Sequence, residues 1–178
     1  MKNLFSILVA ILVLQPPPAL AISGEALVKA ALERTLHHVT YDGSYHVIQY
    51  PGGDVPATSG VCTDVIIRSY RKLNIDLQKR VHLDMKNHFS KYPSKRIWGL
   101  NRPDPNIDHR RVPNLQVFFS RHGEIIEETD DSGDFKPGDI VTWLLPGNLP
   151  HIGDCNRSIP PLYQQSDDCT SIRGQVCS

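Results

Sequence analysis

The sequence predicts one α+β domain, and three stretches carry that reading. Apolar residues at Val65, Ile66, Tyr70 and Leu73 fall at helical spacing. Leu77, Val81, Met85 and Phe89 recur every four residues, which makes one apolar helix stripe and reads as core. Ile140-Val141-Thr142-Trp143-Leu144 is β-branched and aromatic, is entered through Pro137-Gly138-Asp139, and is closed by Pro146-Gly147-Asn148, so it reads as a strand leading into a hairpin.

Met1-Lys2-Asn3 opens the chain, an apolar run follows from Leu4 to Leu14, and Ala19-Leu20-Ala21 comes after the prolines. This is the pattern of a secretory signal peptide (residues 1–21), too short to span a bilayer. Cleavage after Ala21 leaves 157 of the 178 residues, enough for one domain with one core. The expected location is periplasmic or secreted, with no membrane contact after cleavage. The mature chain carries 18 Lys+Arg against 19 Asp+Glu, so its charge gives no reason to expect nucleic acid as a partner.

Ser23 can cap a first helix whose buried side holds Leu27, Ala30 and Ala31 and which fades near His37-His38. Tyr45 to Tyr50 reads as a short strand or extended segment. Pro51-Gly52-Gly53-Asp54, Pro56 and Ser59-Gly60 break the chain before the second helix, which runs from Cys62 to about Asn74. Asp76 starts the third helix. Residues 92–114 read as a long proline-rich connection, a feature often functional in a small domain. Asn114 can cap a helix from Leu115 to His122, and Glu124 to Glu127 reads as a weak strand. Asp130 to Asp134 is a polar turn without the glycine placement or distal glutamate of a calcium loop.

Cys62 sits at the start of its helix, where unpaired N–H groups and the helix dipole favour a thiolate, the reactive form of cysteine. The competing reading is a buried, inert cysteine filling core space. His151, at the start of the strand after the hairpin, supplies a base for a nucleophile–base pair. Arg110 and Arg111 either grip substrate carboxylates or tie the long connection down through Asp104 and Asp108. Of the four cysteines, Cys155, Cys169 and Cys177 crowd the last 24 residues, and the spacings fit no zinc site. No metal or organic cofactor is expected.

Tyr50-Pro51-Gly52-Gly53-Asp54-Val55-Pro56, Gly60-Val61-Cys62-Thr63-Asp64-Val65 and Asn106-Ile107-Asp108-His109-Arg110-Arg111-Val112-Pro113-Asn114 resemble the exported bacterial DUF1287 family. So do Pro137-Gly138-Asp139-Ile140-Val141 and His151-Ile152-Gly153. That family is similar to the NlpC/P60 cysteine peptidases, which have a papain-like α+β fold and cut amide bonds in peptidoglycan stem peptides. The resemblance implies N-terminal helices packed on a small antiparallel sheet over residues 22–153. It also implies Cys62 as nucleophile and His151 as base, with peptidoglycan peptides as partner; Arg110, Arg111, Asp108 and His109 are the expected substrate contacts. The alternative is a cell-wall binding protein that kept the fold and lost the activity.

Two departures qualify this. NlpC/P60 enzymes usually place Asp before the cysteine and Ser-Gly after it, where this chain has Val61 and Thr63-Asp64. Beyond Gly153 the alternation stops and no histidine follows His151, so a third catalytic position that would orient the base is missing. Residues 154–178 are expected to be an atypical tail with no clear strand, disordered or out of the family's register, as a frame change or truncation produces. The fold would then be incomplete at the C-terminus.

Overall fold

A computed structural model describes residues 22–126, 132–156 and 170–173. The expected signal peptide lies outside them. Ser23 accepts a hydrogen bond from the Ala26 amide and starts helix α1 (Gly24–Arg34), which buries Leu27, Val28, Ala30 and Ala31. Gly24 lies backbone to backbone against the turn at Pro137-Gly138. A Cβ on Gly24 would stand 1.8 Å from the Pro137 carbonyl oxygen, so only glycine permits this docking of the helix start.

Two two-residue strands, β1 (Thr40–Tyr41) and β2 (Ser59–Gly60), pair in parallel and bring the chain to helix α2 (Cys62–Lys72). Tyr45 to Tyr50 joins no sheet and is held partly by side chains: the Ile48 amide donates to Asn106 at 3.0 Å. Helix α3 (Leu77–His88) begins at Asp76, whose carboxylate accepts from the Lys79 amide, and its apolar stripe of Leu77, Val81 and Met85 is fully buried.

The connection expected over residues 92–114 has structure of its own. Helix α4 (Ser94–Trp98) ends at Gly99, which takes the left-handed conformation (φ 66°) that glycine tolerates at a helix C-terminus. A 3-10 turn, Asp108–Arg110, then leads into helix α5 (Val112–His122). That helix starts two residues before the expected cap, because Arg111 is its N-cap residue and Pro113 fits its first turn. Asn114 is buried inside instead; its amide donates to the Asp108 carbonyl and its oxygen accepts from Ser94.

Strands β3 (Glu124–Ile126), β4 (Ile140–Leu145), β5 (Leu149–Asp154) and β6 (Thr170–Arg173) form one antiparallel sheet in the order β3-β6-β4-β5. This corrects the expectation of a tail without a strand. Thr170-Ser171-Ile172-Arg173 is short and weakly patterned, but β3 and β4 each present an unpaired edge, and β6 fills both ladders at once. Residues 157–169 and 174–178 lie outside the described ones. Ile66, Ile67 and Tyr70 of α2, Met85 of α3, and Phe118 and Phe119 of α5 meet Ile140 and Ile152 of the sheet in one core. The architecture is mixed α+β, with α2 packed directly against the edge strand β5.

Candidate functional site

Cys62 is the first residue of α2, and its position is fixed from both sides. Asp64, two residues on, accepts from the Val61 amide at 2.7 Å and so satisfies one free N–H of the helix start. The same carboxylate takes both arms of Arg110: Nε to Oδ1 at 3.0 Å and Nη2 to Oδ2 at 2.9 Å. Arg110 also donates to the carbonyls of Asp42 and Ser44, and its own carbonyl accepts from Thr63. One buried guanidinium thus joins the 42–44 turn, the 108–111 turn and the start of the cysteine helix. The Arg110 and Asp64 side chains are 3% and 4% exposed.

Gly60 belongs to the same arrangement. A Cβ there would lie 3.1 Å from Asp64 Oδ2 and 3.3 Å from Asp64 Cβ, so the residue before Val61 has almost no room to grow. Arg68, one turn further along α2, anchors the preceding loop through Asp54 and the carbonyls of Val55, Pro56 and Ser59.

The Cys62 side chain is half-buried on the floor of a cleft of about 370 Å³. Tyr41, Trp98, Ile107, Arg110, Arg111, Pro113 and Pro150 are among its walls. Burial pushes the thiol above its ordinary pKa, and main-chain hydrogen bonds from Ile152 and from the helix start only partly oppose this. The helix start was expected to hold a thiolate, but desolvation outweighs the N–H groups, so the resting sulfur is protonated at neutral pH.

β5 supplies the facing wall. Pro150 lines the cleft and Ile152, 2% exposed, belongs to the core. His151 lies between them and sets its ring against Trp143, its cross-strand partner, with centroids 4.8 Å apart. Alternation along the strand directs His151 away from the face that Pro150 and Ile152 share. β5 is the edge strand of the sheet, and its Ile152 main chain hydrogen-bonds Cys62. Among the described residues, no hydrogen bond joins the imidazole to the thiol. Burial lowers the His151 pKa and keeps the ring neutral.

The other expected contacts divide by position. Arg111 lies on the cleft wall, paired with Asp108 at 3.1 Å and stacked over the Trp98 ring at 4.1 Å. Arg110 reaches the cleft, but its guanidinium is already held by Asp64 and two carbonyls. Asp108 and His109 are 1% and 2% exposed and do not line the cleft. Burial lifts Asp108 to about 6 and depresses His109 to about 4, and among the described residues the buried His109 Nδ1 has no hydrogen-bond partner. The sequence reading missed Trp98, Tyr41 and Pro150 as walls. A tryptophan two residues before Leu100 in a proline-rich connection was the available signal.

Together these features define an α+β protein whose half-buried cysteine opens a helix at the floor of a cleft. The chain belongs to the DUF1287 family, described as a domain of unknown function, whose match covers residues 28–159, six residues beyond the expected boundary at 153. It is 46% identical over 141 residues to the Escherichia coli (strain K12) protein named "Uncharacterized protein YijF", covering 78% of this chain and 68% of that one. No solved structure matches it.

Proposed function

We propose that this protein is an exported thiol amidohydrolase of papain-like, NlpC/P60-type fold that cleaves amide bonds in peptidoglycan stem peptides in the periplasm or outside the cell. The observation that carries this reading is the placement of the Cys62 thiol: first residue of a helix, at the floor of a cleft, against the strand that bears His151.

Thiol and imidazole both rest neutral, so proton transfer belongs to the reaction and not to the resting state. On substrate binding, the His151 ring takes the thiol proton as sulfur attacks the amide carbonyl. Catalytic hydrogen bonds are often long in the free protein and close only with substrate. A C–S bond forms, the carbonyl π pair moves to oxygen, and main-chain N–H groups at the helix start stabilise the oxyanion. Collapse breaks the C–N bond, and the imidazolium returns its proton to the leaving amine. Water then attacks the thioester, gives a proton to His151, and releases a carboxylic acid and the thiol. Arg111, held flat by Trp98 and Asp108, presents its remaining N–H groups to a substrate carboxylate.

The test is a digest of purified peptidoglycan by the mature protein beside Cys62→Ala, with products identified by mass. New muropeptides from the intact cysteine alone support the reading, and none from a folded protein rejects it. The second reading, a non-catalytic wall-binding protein, is favoured by the contact of His151 with Trp143 in place of Cys62. It predicts equal retention of both proteins on peptidoglycan with no products. N-terminal sequencing of the exported protein checks cleavage after Ala21.

A further inference from the structure

A second cleft, of about 940 Å³, lies beside the cysteine cleft and shares Pro113 with it. Its walls carry Lys91, Lys95 and Arg96, and among the described residues no aspartate or glutamate lines it. Most other basic side chains near the core are spent: Arg68 and Arg71 on Asp54, Arg110 on Asp64, Arg111 on Asp108, Arg121 on Asp84. Lys91, Lys95 and Arg96 are exposed, and among the described residues their side chains make no ion pair or hydrogen bond. The chain as a whole is neutral, so this concentration of unpaired positive charge is local. The floor is fixed: Tyr92 is buried and bonded to Asp84, whose charge Arg121 already offsets.

We propose that this basic cleft binds the carboxylates of an acidic peptide, as an extension of the site that holds the reacting amide. The proposal rests on the amidohydrolase reading for the reacting end only. The geometry supports one continuous ligand. Pro113 lines both clefts, and helix α4 spans them, with Trp98 on the wall of the first and Lys95 and Arg96 on that of the second, a rise of about 3–4.5 Å along the helix. An extended peptide advances about 3.3 Å per residue. A short peptide with its amide over Cys62 therefore places carboxylates a few residues away among the three cations. Three exposed charges around a shaped cleft give selectivity and steering more than raw affinity, and both fall with salt.

The test uses binding, so it does not depend on turnover. Mature Cys62→Ala protein is titrated with hexaglutamate, with a polyphosphate of similar charge as the second probe, at low and at high salt. Hexaglutamate binding should weaken about tenfold or more in Lys91→Glu/Lys95→Glu/Arg96→Glu. It should stay within about twofold in a control with the same change in net charge, Lys29→Glu/Lys79→Glu/Lys136→Glu. Equal losses in both variants would show only a general charge effect and overturn the cleft assignment. Unchanged binding in the first variant overturns it too, and binding of polyphosphate without hexaglutamate overturns the carboxylate assignment. If the peptidoglycan digest fails while the charge reversal still abolishes hexaglutamate binding, the amidohydrolase reading falls and the subsite stands. If the digest succeeds and the charge reversal leaves KM unchanged, the subsite falls alone.

Discussion

Arg110→Met is the most informative single change, because Arg110 ties the cysteine helix to two turns that are remote in sequence. Methionine keeps the apolar stem of the side chain and removes the guanidinium with its charge. The change deletes two bonds to Asp64, at 3.0 and 2.9 Å, and two to the carbonyls of Ser44 and Asp42, at 3.3 and 3.2 Å. It strands the Asp64 carboxylate, 4% exposed, without a counter-charge. Breaking one side of a buried ion pair costs about 3–5 kcal/mol, because the remaining charge stays desolvated. That is a large part of a stability of roughly 5–15 kcal/mol, and corresponds to a fall in Tm of about 10 °C. Urea denaturation of the mature protein measures it. Asp64→Ala/Arg110→Met should recover part of the loss, short of the ~1 kcal/mol that the lost cap at Val61 contributes. The Cys62 thiol should also alkylate faster in Arg110→Met, since the helix start loosens. A cost below about 1 kcal/mol with unchanged thiol reactivity would refute the claim that this pair positions the site.

Three further outcomes follow from the same structure. Gly138→Ala should destabilise by about 2 kcal/mol or more by urea denaturation: Gly138 has φ +85° and its Cβ would stand 2.4 Å from Gly24 Cα, so the left-handed backbone and the helix docking are both affected. Cys62 alkylation by iodoacetamide should be slow at pH 7 and climb with pH to a midpoint above that of an ordinary thiol; a fast, flat rate below pH 7 contradicts the burial argument. Asp108 and His109 should have opposed effects on stability. Asp108 is raised from 3.8 to about 6, so its contribution is full below pH ~4 and is lost as pH rises through 6. His109 is lowered from 6.5 to about 4, so its contribution is full above pH ~6.5 and is lost as pH falls through 4. The two nearly cancel between pH 4 and 6, each worth about 3 kcal/mol at most. Asp108→Asn should make the urea midpoint rise with pH across that window, and His109→Phe should make it fall; parallel slopes would refute the assignment.

Local structure is legible in the residue pattern. The caps at Ser23 and Asp76, the four-residue stripe from Leu77 to Met85, and the β4–β5 hairpin around Pro146-Gly147-Asn148 are written in spacing and turn chemistry, because each depends on neighbours within a few residues. Cys62 at a helix start and His151 on a strand were legible for the same reason. What these residues do in their surroundings depends on contacts between distant segments. Burial raises the Cys62 thiol pKa against the opposing main-chain hydrogen bonds from Ile152 and the helix start. Arg110 is taken by Asp64, 46 residues away, which leaves Arg111 to face the cleft. β6 becomes a strand because β3 and β4 leave a gap between them, a requirement of two distant edges that Thr170-Ser171-Ile172-Arg173 cannot express alone. Long-range desolvation, charge pairing and sheet completion depend on which surfaces meet, and no local pattern carries that information.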